Sequence, residues 1–132
     1  MPDLSSMATV ERFLRLVEER SLDEATAFLA PGVTITFPGG RKFSNLTDQV
    51  ASSAGRFRSV RKVFERFDAS RDGETTIVYV FGTLEGEATD GNAFSGVRFI
   101  DRFELRDGLI VDQKVWNDVA EGGVLGSGDR AD

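Results

Sequence analysis

Residues 60–117 read VRKVFERFDASRDGETTIVYVFGTLEGEATDGNAFSGVRFIDRFELRDGLIVDQKVWN, and this stretch decides the fold. Three Asp-Gly pairs, at residues 72–73, 90–91 and 107–108, separate four runs that are rich in β-branched and aromatic residues. An Asp-Gly pair between such runs predicts a tight hairpin, because both residues tolerate the positive φ angles of a type I′ turn. We therefore predict a four-stranded antiparallel meander that carries the core and any pocket.

The chain before the meander begins with two predicted helices. Apolar residues at helical spacing indicate a first helix over residues 5–19. Ser21 and Glu24 form a Ser-x-x-Glu capping box, which predicts that a second helix begins at Ser21. Because Pro cannot continue a helix and Gly favours its end, we expect this second helix to stop at Pro31-Gly32.

A short strand and a third helix are predicted between these helices and the meander. Residues 33–37, VTITF, are β-branched and alternate in polarity, which predicts a strand. Ser44-Asn45 can cap a third helix that ends near residue 56. Its inward face would carry Leu46, Val50, Ala51 and Ala54. In the first strand of the meander the apolar residues change parity near Val63-Phe64, which predicts a β-bulge there.

Composition and charge limit the class of protein. With 132 residues, 40% of them hydrophobic, the chain is long enough for one domain with a real core. We expect this domain over residues 1–120 and a flexible, Gly-rich tail over residues 121–132. The net charge of −6 argues against a nucleic-acid partner, because phosphate binding needs clustered Lys and Arg. The sequence has neither an apolar run of membrane-spanning length nor a signal-peptide pattern, so we expect a cytoplasmic protein without a membrane partner.

The absence of Cys and His restricts the chemistry that the chain can perform. Without Cys there is no disulfide, no thiolate nucleophile and no thiolate metal ligand. Without His there is no Ser-His-Asp triad, no ordinary zinc or iron site and no imidazole base. We therefore expect no metal and no cofactor, and any acid–base chemistry must use Asp, Glu, Lys, Tyr or water.

Both faces of the second meander strand are apolar. Side chains alternate between the two faces of a strand. Over residues 75–85 the two sets are Ile77, Tyr79, Phe81 and Thr83 against Val78, Val80, Gly82 and Leu84. Since both sets are apolar, we expect the helices to cover one face and a second copy of the chain to cover the outer face, as a homodimer.

Asp101 is the main candidate for chemistry. It is the lone acid on a strand face that otherwise carries Val97, Phe99, Phe103 and Leu105. A carboxyl group in such a position can act as a general acid or base, or donate a hydrogen bond to a substrate oxygen. The alternative is structural: Asp101 would then bond to Tyr79, Gln113, Asn117 or a backbone group.

Tyr79 is the second candidate catalytic residue, because it is the only Tyr and its hydroxyl group could serve as a donor in the pocket. An amphipathic core ring is the alternative for Tyr79. The chain contains eleven Phe residues, so we expect a ring-lined cavity for a hydrophobic small molecule. The predicted substrate-binding residues are Phe13, Phe37, Phe81, Phe99, Phe103, Gln113, Val115 and Asn117.

Two runs carry a resemblance to a known family. The run VRFIDRFELRDGLIVDQKVW resembles the last hairpin of SnoaL-like and ketosteroid isomerase-like domains, and VERFLRLVEERSLDEATAFLAPGVTITFP resembles their start. The order helix, helix, strand, helix and meander is similar to that of the NTF2-like fold over residues 5–119. The resemblance implies the α+β class, as an NTF2-like cone with three N-terminal helices packed on a strongly curved, mainly antiparallel, cystatin-like sheet.

The resemblance also assigns roles to individual positions. In ketosteroid isomerases the acid of the Ile-Asp-x-Phe run donates to the oxyanion, and it matches Asp101 here. The family's base and its helical tyrosine match Phe37 and Phe13, which cannot transfer protons. The resemblance therefore implies the pocket and one acid of that family but not its steroid isomerisation mechanism.

Three functions are compatible with these patterns. The first is a cofactor-free isomerase, cyclase or dehydratase that uses Asp101 on an apolar, oxygen-bearing small molecule. The second is a non-catalytic protein that binds an apolar small molecule in the same pocket. The third is a dimeric scaffold that uses the outer sheet face around Val80 and Trp116 and has a filled cone.

Overall fold

The computed structural model describes residues 4–121. It contains three helices, α1 (Leu4–Glu18), α2 (Leu22–Thr26) and α3 (Leu46–Ser53). The first two precede the first strand, and α3 lies between the second and third strands. Six strands form a single sheet: β1 (Leu29–Phe37), β2 (Arg41–Phe43), β3 (Phe57–Asp72), β4 (Thr75–Ala88), β5 (Ala93–Arg106) and β6 (Leu109–Asn117). The predicted tail lies outside the described residues except for Glu121.

The sheet has the strand order β2-β1-β6-β5-β4-β3, so β2 and β3 are its edges. All neighbouring strands are antiparallel except β1 and β6, which are parallel. Helices packed on a curved, mixed sheet confirm the predicted α+β class. Among residues 4–121 there is no helix that is long and apolar enough to cross a membrane.

The predicted meander is confirmed as β3 to β6, with each Asp-Gly pair at a strand connection. Asp107 and Gly108 both have positive φ angles, 51° and 78°, as a type I′ turn requires. At the other two connections only the glycine has a positive φ angle, 63° for Gly73 and 88° for Gly91. The type I′ prediction therefore holds for the last hairpin alone.

The predicted second helix is too long. α2 ends at Thr26, and Ser21 makes no side-chain capping bond. Pro31 and Gly32 lie inside β1, where the pairing with β6 shifts register between Leu29 and Thr34. Pro is tolerated at such an irregularity because its missing N–H removes no ladder hydrogen bond.

The cap of the third helix is confirmed, and its predicted inward face is confirmed for Leu46 but wrong for Ala51 and Ala54. The Asp48 backbone N donates to Asn45 Oδ1 at 2.8 Å. The buried residues of α3 are Leu46 and Gln49, whereas Ala51 and Ala54 are exposed. The prediction failed because α3 turns its polar Gln49 side toward the cavity, which an apolar stripe cannot reveal.

Two of the register shifts in the meander affect which of the candidate side chains face the interior. In β3 the register with β4 shifts between Phe64 and Arg66, one residue beyond the predicted position. In the last hairpin the register shifts so that Leu105 pairs with Ile110 and Glu104 with Asp112. This second bulge was not predicted, and it buries Ile110 on the interior face together with Gln113 and Val115.

The core lies between α1 and the interior face of β4 and β5. The buried side chains of α1 are Val10, Phe13, Leu14 and Leu16. On β5 the predicted inward set is confirmed: Val97, Phe99, Asp101, Phe103 and Leu105 are all buried. On β4 the inward set is Val78, Val80 and Leu84, with Gly82 among them.

Candidate functional site

A cavity lies between the last turn of α1, α3 and the interior face of the sheet. Its volume is about 100 Å³. Its lining combines rings and aliphatic side chains with a smaller polar set: Leu14, Val17, Phe37, Phe57, Val60, Leu84, Phe99 and Val115, together with Glu18, Arg20, Gln49, Ser53, Lys62 and Asn117. The cavity is partly open to solvent, and its lining includes the exposed Arg20.

The size of the cavity limits what it can enclose. With a volume of about 100 Å³ it is a small cavity, large enough for several water molecules. Pockets for drug-sized ligands usually measure roughly 300–1,000 Å³. Without movement of its walls, the cavity can hold one ring or one functional group of a ligand, while the remainder lies in the opening.

Asp101 lies behind the cavity wall and does not line it. Its side chain is fully buried on β5, paired in register with Val80 and Val115. Lys62 Nζ donates to Asp101 Oδ2 at 2.7 Å. Asp101 Oδ1 has no hydrogen-bond partner within residues 4–121. A buried acceptor without a partner costs roughly 1–3 kcal/mol, so Asp101 Oδ1 keeps the capacity to accept a further hydrogen bond.

Lys62 is the group that connects Asp101 to the cavity. Its side chain is 21% exposed and belongs to the cavity lining. The ammonium nitrogen lies 5.1 Å from the centroid of the Phe99 ring, which supplies a cation–π contact. Lys62 therefore presents a positively charged hydrogen-bond donor to the cavity, and the buried Asp101 carboxylate binds this donor on the side away from the cavity.

The α3 side of the cavity is polar. Gln49 is buried, and its Nε2 donates to Ser53 Oγ at 3.2 Å. Ser53 Oγ donates in turn to the Gln49 backbone O at 3.4 Å. These groups, with Asn117 on β6, can orient a polar substituent of a ligand that enters between α3 and the sheet.

Four of the predicted substrate-binding residues line the cavity: Phe37, Phe99, Val115 and Asn117. Three others, Phe13, Phe103 and Gln113, are buried but contribute nothing to the cavity wall. Phe13 of α1 packs edge-on against Phe103 of β5, with ring centroids 6.0 Å apart. These rings lie outside the cavity wall because α1 fills that part of the interior, and their role in substrate binding stays a prediction.

The expectation that Tyr79 and Phe81 share a pocket with Asp101 is also wrong. Val80 pairs with Asp101, so both neighbours of Val80 in β4 lie on the outer face. Tyr79 OH accepts from Arg102 Nε at 3.3 Å, and its ring stacks with Phe81 at 6.3 Å between centroids. The pKa of Arg102 is raised, mainly by the hydrogen bond from its guanidinium to Glu104 and also by the hydrogen bond to Tyr79.

Sequence reasoning missed Lys62 and Glu18. A pattern that could have revealed Lys62 is the alternation of Val60, Lys62 and Phe64 before the bulge, which places the lysine on an apolar face. No comparable pattern marks Glu18, because its importance depends on where the end of α1 meets β3. Within the described part of the chain, no three acidic side chains group closely enough to hold a metal ion.

Comparisons with known proteins agree with this architecture. Residues 10–113 match the family described as SnoaL-like domain. No curated protein matches the chain in sequence. An NTF2-like protein of unknown function from Burkholderia pseudomallei is 22% identical, with a TM-score of 0.76, covering 93% of this chain and 98% of that chain.

Two further solved structures are similar. TerC, co-crystallised with polyporic acid, is 18% identical with a TM-score of 0.74, covering 91% of this chain and 97% of that chain. A candidate SnoaL-like polyketide cyclase from Jannaschia sp. CCS1 is 16% identical with a TM-score of 0.70, covering 96% of this chain and 94% of that chain. At such identities the likeness shows the fold alone, and it confirms the expected NTF2-like fold.

Proposed function

The chain belongs to the SnoaL-like domain family, and from this premise we propose that it binds an apolar, oxygen-bearing small molecule in its cavity. We further propose that it acts on this molecule as a cofactor-free isomerase, cyclase or dehydratase. The observation that supports the proposal is the Lys62 Nζ–Asp101 Oδ2 contact of 2.7 Å at the boundary of a ring-lined cavity. Among similar structures, TerC was crystallised with an organic acid.

In the proposed mechanism Lys62 is the catalytic residue and Asp101 positions it. The ammonium group of Lys62 donates a hydrogen bond to a carbonyl or hydroxyl oxygen of the substrate. This bond strengthens as negative charge develops on that oxygen, so it lowers the barrier to enolisation, ring closure or loss of water, and a solvent water molecule takes up the proton that the substrate carbon releases. Asp101 holds the ammonium group in place from the side away from the cavity, so the donor is already oriented before the substrate binds.

Binding without catalysis is the alternative, and a specific observation favours it. The positions that match the base and the tyrosine donor of ketosteroid isomerases are Phe37 and Phe13 here. The remaining acid on the cavity wall, Glu18, is already bound by the Arg15 guanidinium at 3.0 Å. A protein with this lining can hold an apolar ligand and orient its oxygen atom without a base to remove a proton.

The test has two stages. Thermal-shift screening with steroids, aromatic acids, terpenoids and polyketide-like ketones identifies ligands that stabilise the wild-type protein, and Lys62→Met is then compared with Lys114→Met. Lys114 pairs with Asp112 outside the cavity, so its replacement controls for the loss of one charge. We expect binding to weaken in Lys62→Met alone, and turnover of the ligands to be lost in that variant. Ligands that bind both variants equally would contradict the role of Lys62.

We also propose that a second copy of the chain covers the outer sheet face. Phe81, Ile100 and Trp116 form one cross-strand row there, and Ile100 and Trp116 are 37% and 52% exposed. Charged side chains of both signs flank this row as ion pairs: Arg61–Glu85, Arg66–Asp68 and Arg98–Asp118. An apolar centre with a mixed charged rim suits a self-complementary interface about a two-fold axis.

A further inference from the structure

Lys62 lies on β3, an edge strand whose outer backbone side has no neighbouring strand among residues 4–121. Backbone groups on such an edge need other partners, and an unprotected edge invites pairing with another chain. At Lys62 both backbone groups are bound by side chains from α1. The Lys62 backbone N donates to Glu18 Oε2 at 2.9 Å, and Arg15 Nη1 donates to the Lys62 backbone O at 3.0 Å.

Arg15 and Glu18 are themselves joined into one unit. Arg15 Nη1 donates to both carboxylate oxygens of Glu18, at 3.0 and 3.2 Å. The Arg15 guanidinium also lies 4.0 Å from the centroid of the Phe64 ring, two residues along β3. The two side chains are 28% and 20% exposed, so water screens these charged contacts less than it would on an open surface.

We propose that Arg15 and Glu18 are positioning residues, an Arg15–Glu18 clamp that fixes the backbone of β3 so that the Lys62 ammonium reaches both Asp101 and the cavity. This inference rests on the proposed role of Lys62. A donor on an edge strand needs such support, because in the described part of the chain β4 is the only strand that pairs with β3, and the register shift between Phe64 and Arg66 lies close by. Binding the peptide groups on both sides of the Lys62 Cα removes that freedom.

The clamp can be tested through the chemical reactivity of Lys62. The chain has three lysines, Lys42, Lys62 and Lys114, so peptide mass spectrometry after brief treatment with N-hydroxysuccinimide acetate yields a separate acetylation rate for each. In the wild-type protein we expect Lys62 to react slowly, since its amino group is held by Asp101. Lys42 and Lys114 lie away from the clamp and serve as internal references.

Loss of the clamp should expose Lys62 selectively. Removing a charged hydrogen bond that keeps Lys62 in place should raise its acetylation rate about tenfold in Glu18→Ala and in Arg15→Met, with the two reference rates unchanged. Arg12→Met and Glu24→Ala are the matched controls, because this exposed pair, at 3.9 Å, joins α1 to α2 rather than to β3. Glu18→Gln retains an acceptor for the Lys62 backbone N and should restore slow acetylation.

Far-UV circular dichroism of each variant, at a temperature well below its unfolding transition, separates local loosening from unfolding. An unchanged Lys62 rate in both clamp variants, or an equal increase in the Arg12 and Glu24 controls, would overturn the inference. Should the clamp variants not fold, amide hydrogen exchange of the wild-type protein decides the matter: the Lys62 amide must be protected as strongly as amides inside the sheet, and fast exchange contradicts the clamp.

None of these measurements uses a ligand. A failed ligand screen would therefore count against the proposed function and leave the clamp in place. Conversely, an unchanged acetylation rate would remove the clamp and leave the cavity and its Lys62–Asp101 pair untouched.

Discussion

The ammonium group of Lys62 lies 2.7 Å from one carboxylate oxygen of Asp101, although the two residues are 39 positions apart in the chain and on non-adjacent strands. β4 separates their strands, and Leu84 and Val80 are their respective partners on it. The long lysine side chain spans β4 on the interior side of the sheet. This contact joins the interior of the core to the cavity, and the energetics of the site depend on it.

Removing only one member of this pair should be far more damaging than removing both. Lys62→Met leaves the Asp101 carboxylate buried without a counter-charge and should lower the free energy of unfolding by about 3–5 kcal/mol. The double variant Lys62→Met/Asp101→Leu replaces both charges by apolar groups and should recover most of that loss. Urea unfolding of the four forms of the cycle measures both effects.

Lys114→Met provides the control for this cycle, because Lys114 is 40% exposed and its ion pair with Asp112 should contribute less than about 1 kcal/mol. If Lys62→Met were no more destabilised than Lys114→Met, the pair would not be the buried, coupled unit described above.

Ligand binding should depend on free space beside Ser53. Ser53→Leu adds apolar volume to the wall of a cavity of about 100 Å³ and removes the acceptor of the Gln49 side chain. We expect ligands found by thermal shift to lose at least about tenfold in affinity, since a small cavity cannot accommodate both the leucine side chain and the ligand. Thr47→Leu, at an exposed position of the same helix, should bind them normally. Equal affinities in the two variants would place the ligand elsewhere.

Replacing Gly82 even by alanine should strongly lower the stability of the protein. A Cβ atom at this position would lie 2.0 Å from the Val63 carbonyl oxygen and 3.0 Å from Phe99 Cε1. Backbone cannot move as easily as a side chain, so Gly82→Ala should lower the free energy of unfolding by about 3 kcal/mol. At Gly55 the same methyl group meets only the Ser52 carbonyl oxygen at 3.6 Å. Gly55→Ala should therefore stay within about 0.5 kcal/mol of the wild type in chemical denaturation.

The two candidate N-caps should differ in their contribution to stability. Asn45 accepts from the Asp48 backbone N, so Asn45→Ala should cost about 1 kcal/mol and loosen the helix that supplies Gln49 and Ser53 to the cavity. Ser21 makes no side-chain capping bond, so Ser21→Ala should change the free energy of unfolding by less than about 0.5 kcal/mol. The reverse order in thermal or urea unfolding would contradict these capping assignments.

The outer face should control the oligomeric state. Trp116→Glu places a charge in the centre of the proposed interface and should weaken self-association by at least about thirtyfold, the equivalent of about 2 kcal/mol at a hot spot. Leu4→Glu is the control, because it places the same charge at an apolar side chain outside the sheet, at the start of α1. Leu4 is 71% exposed, compared with 52% for Trp116. Sedimentation equilibrium should show a dimer for Leu4→Glu and for the wild type. A monomeric wild-type protein at micromolar concentrations would rule out the interface.

Local patterns in the sequence determined the meander and the inward face of β5. Turn residues act within a few positions of one another, and side chains on a strand alternate strictly, so the Asp-Gly pairs and the burial of Asp101 follow from short-range rules. The same rules located a bulge in β3 to within one residue. Four of the eight predicted substrate-binding residues line the cavity.

Long-range packing decided which strand face and which α1 side chains belong to the site. Alternation divides β4 into two sets, yet only its register with β5 shows that Val80 faces Asp101 and that Tyr79 lies outside. Only the position of α1 shows that Phe13 fills the interior, and that Arg15 and Glu18 bind the backbone at Lys62. These contacts join residues that are dozens of positions apart. Their free energies depend on distances and burial in the folded chain, which no local sequence pattern contains.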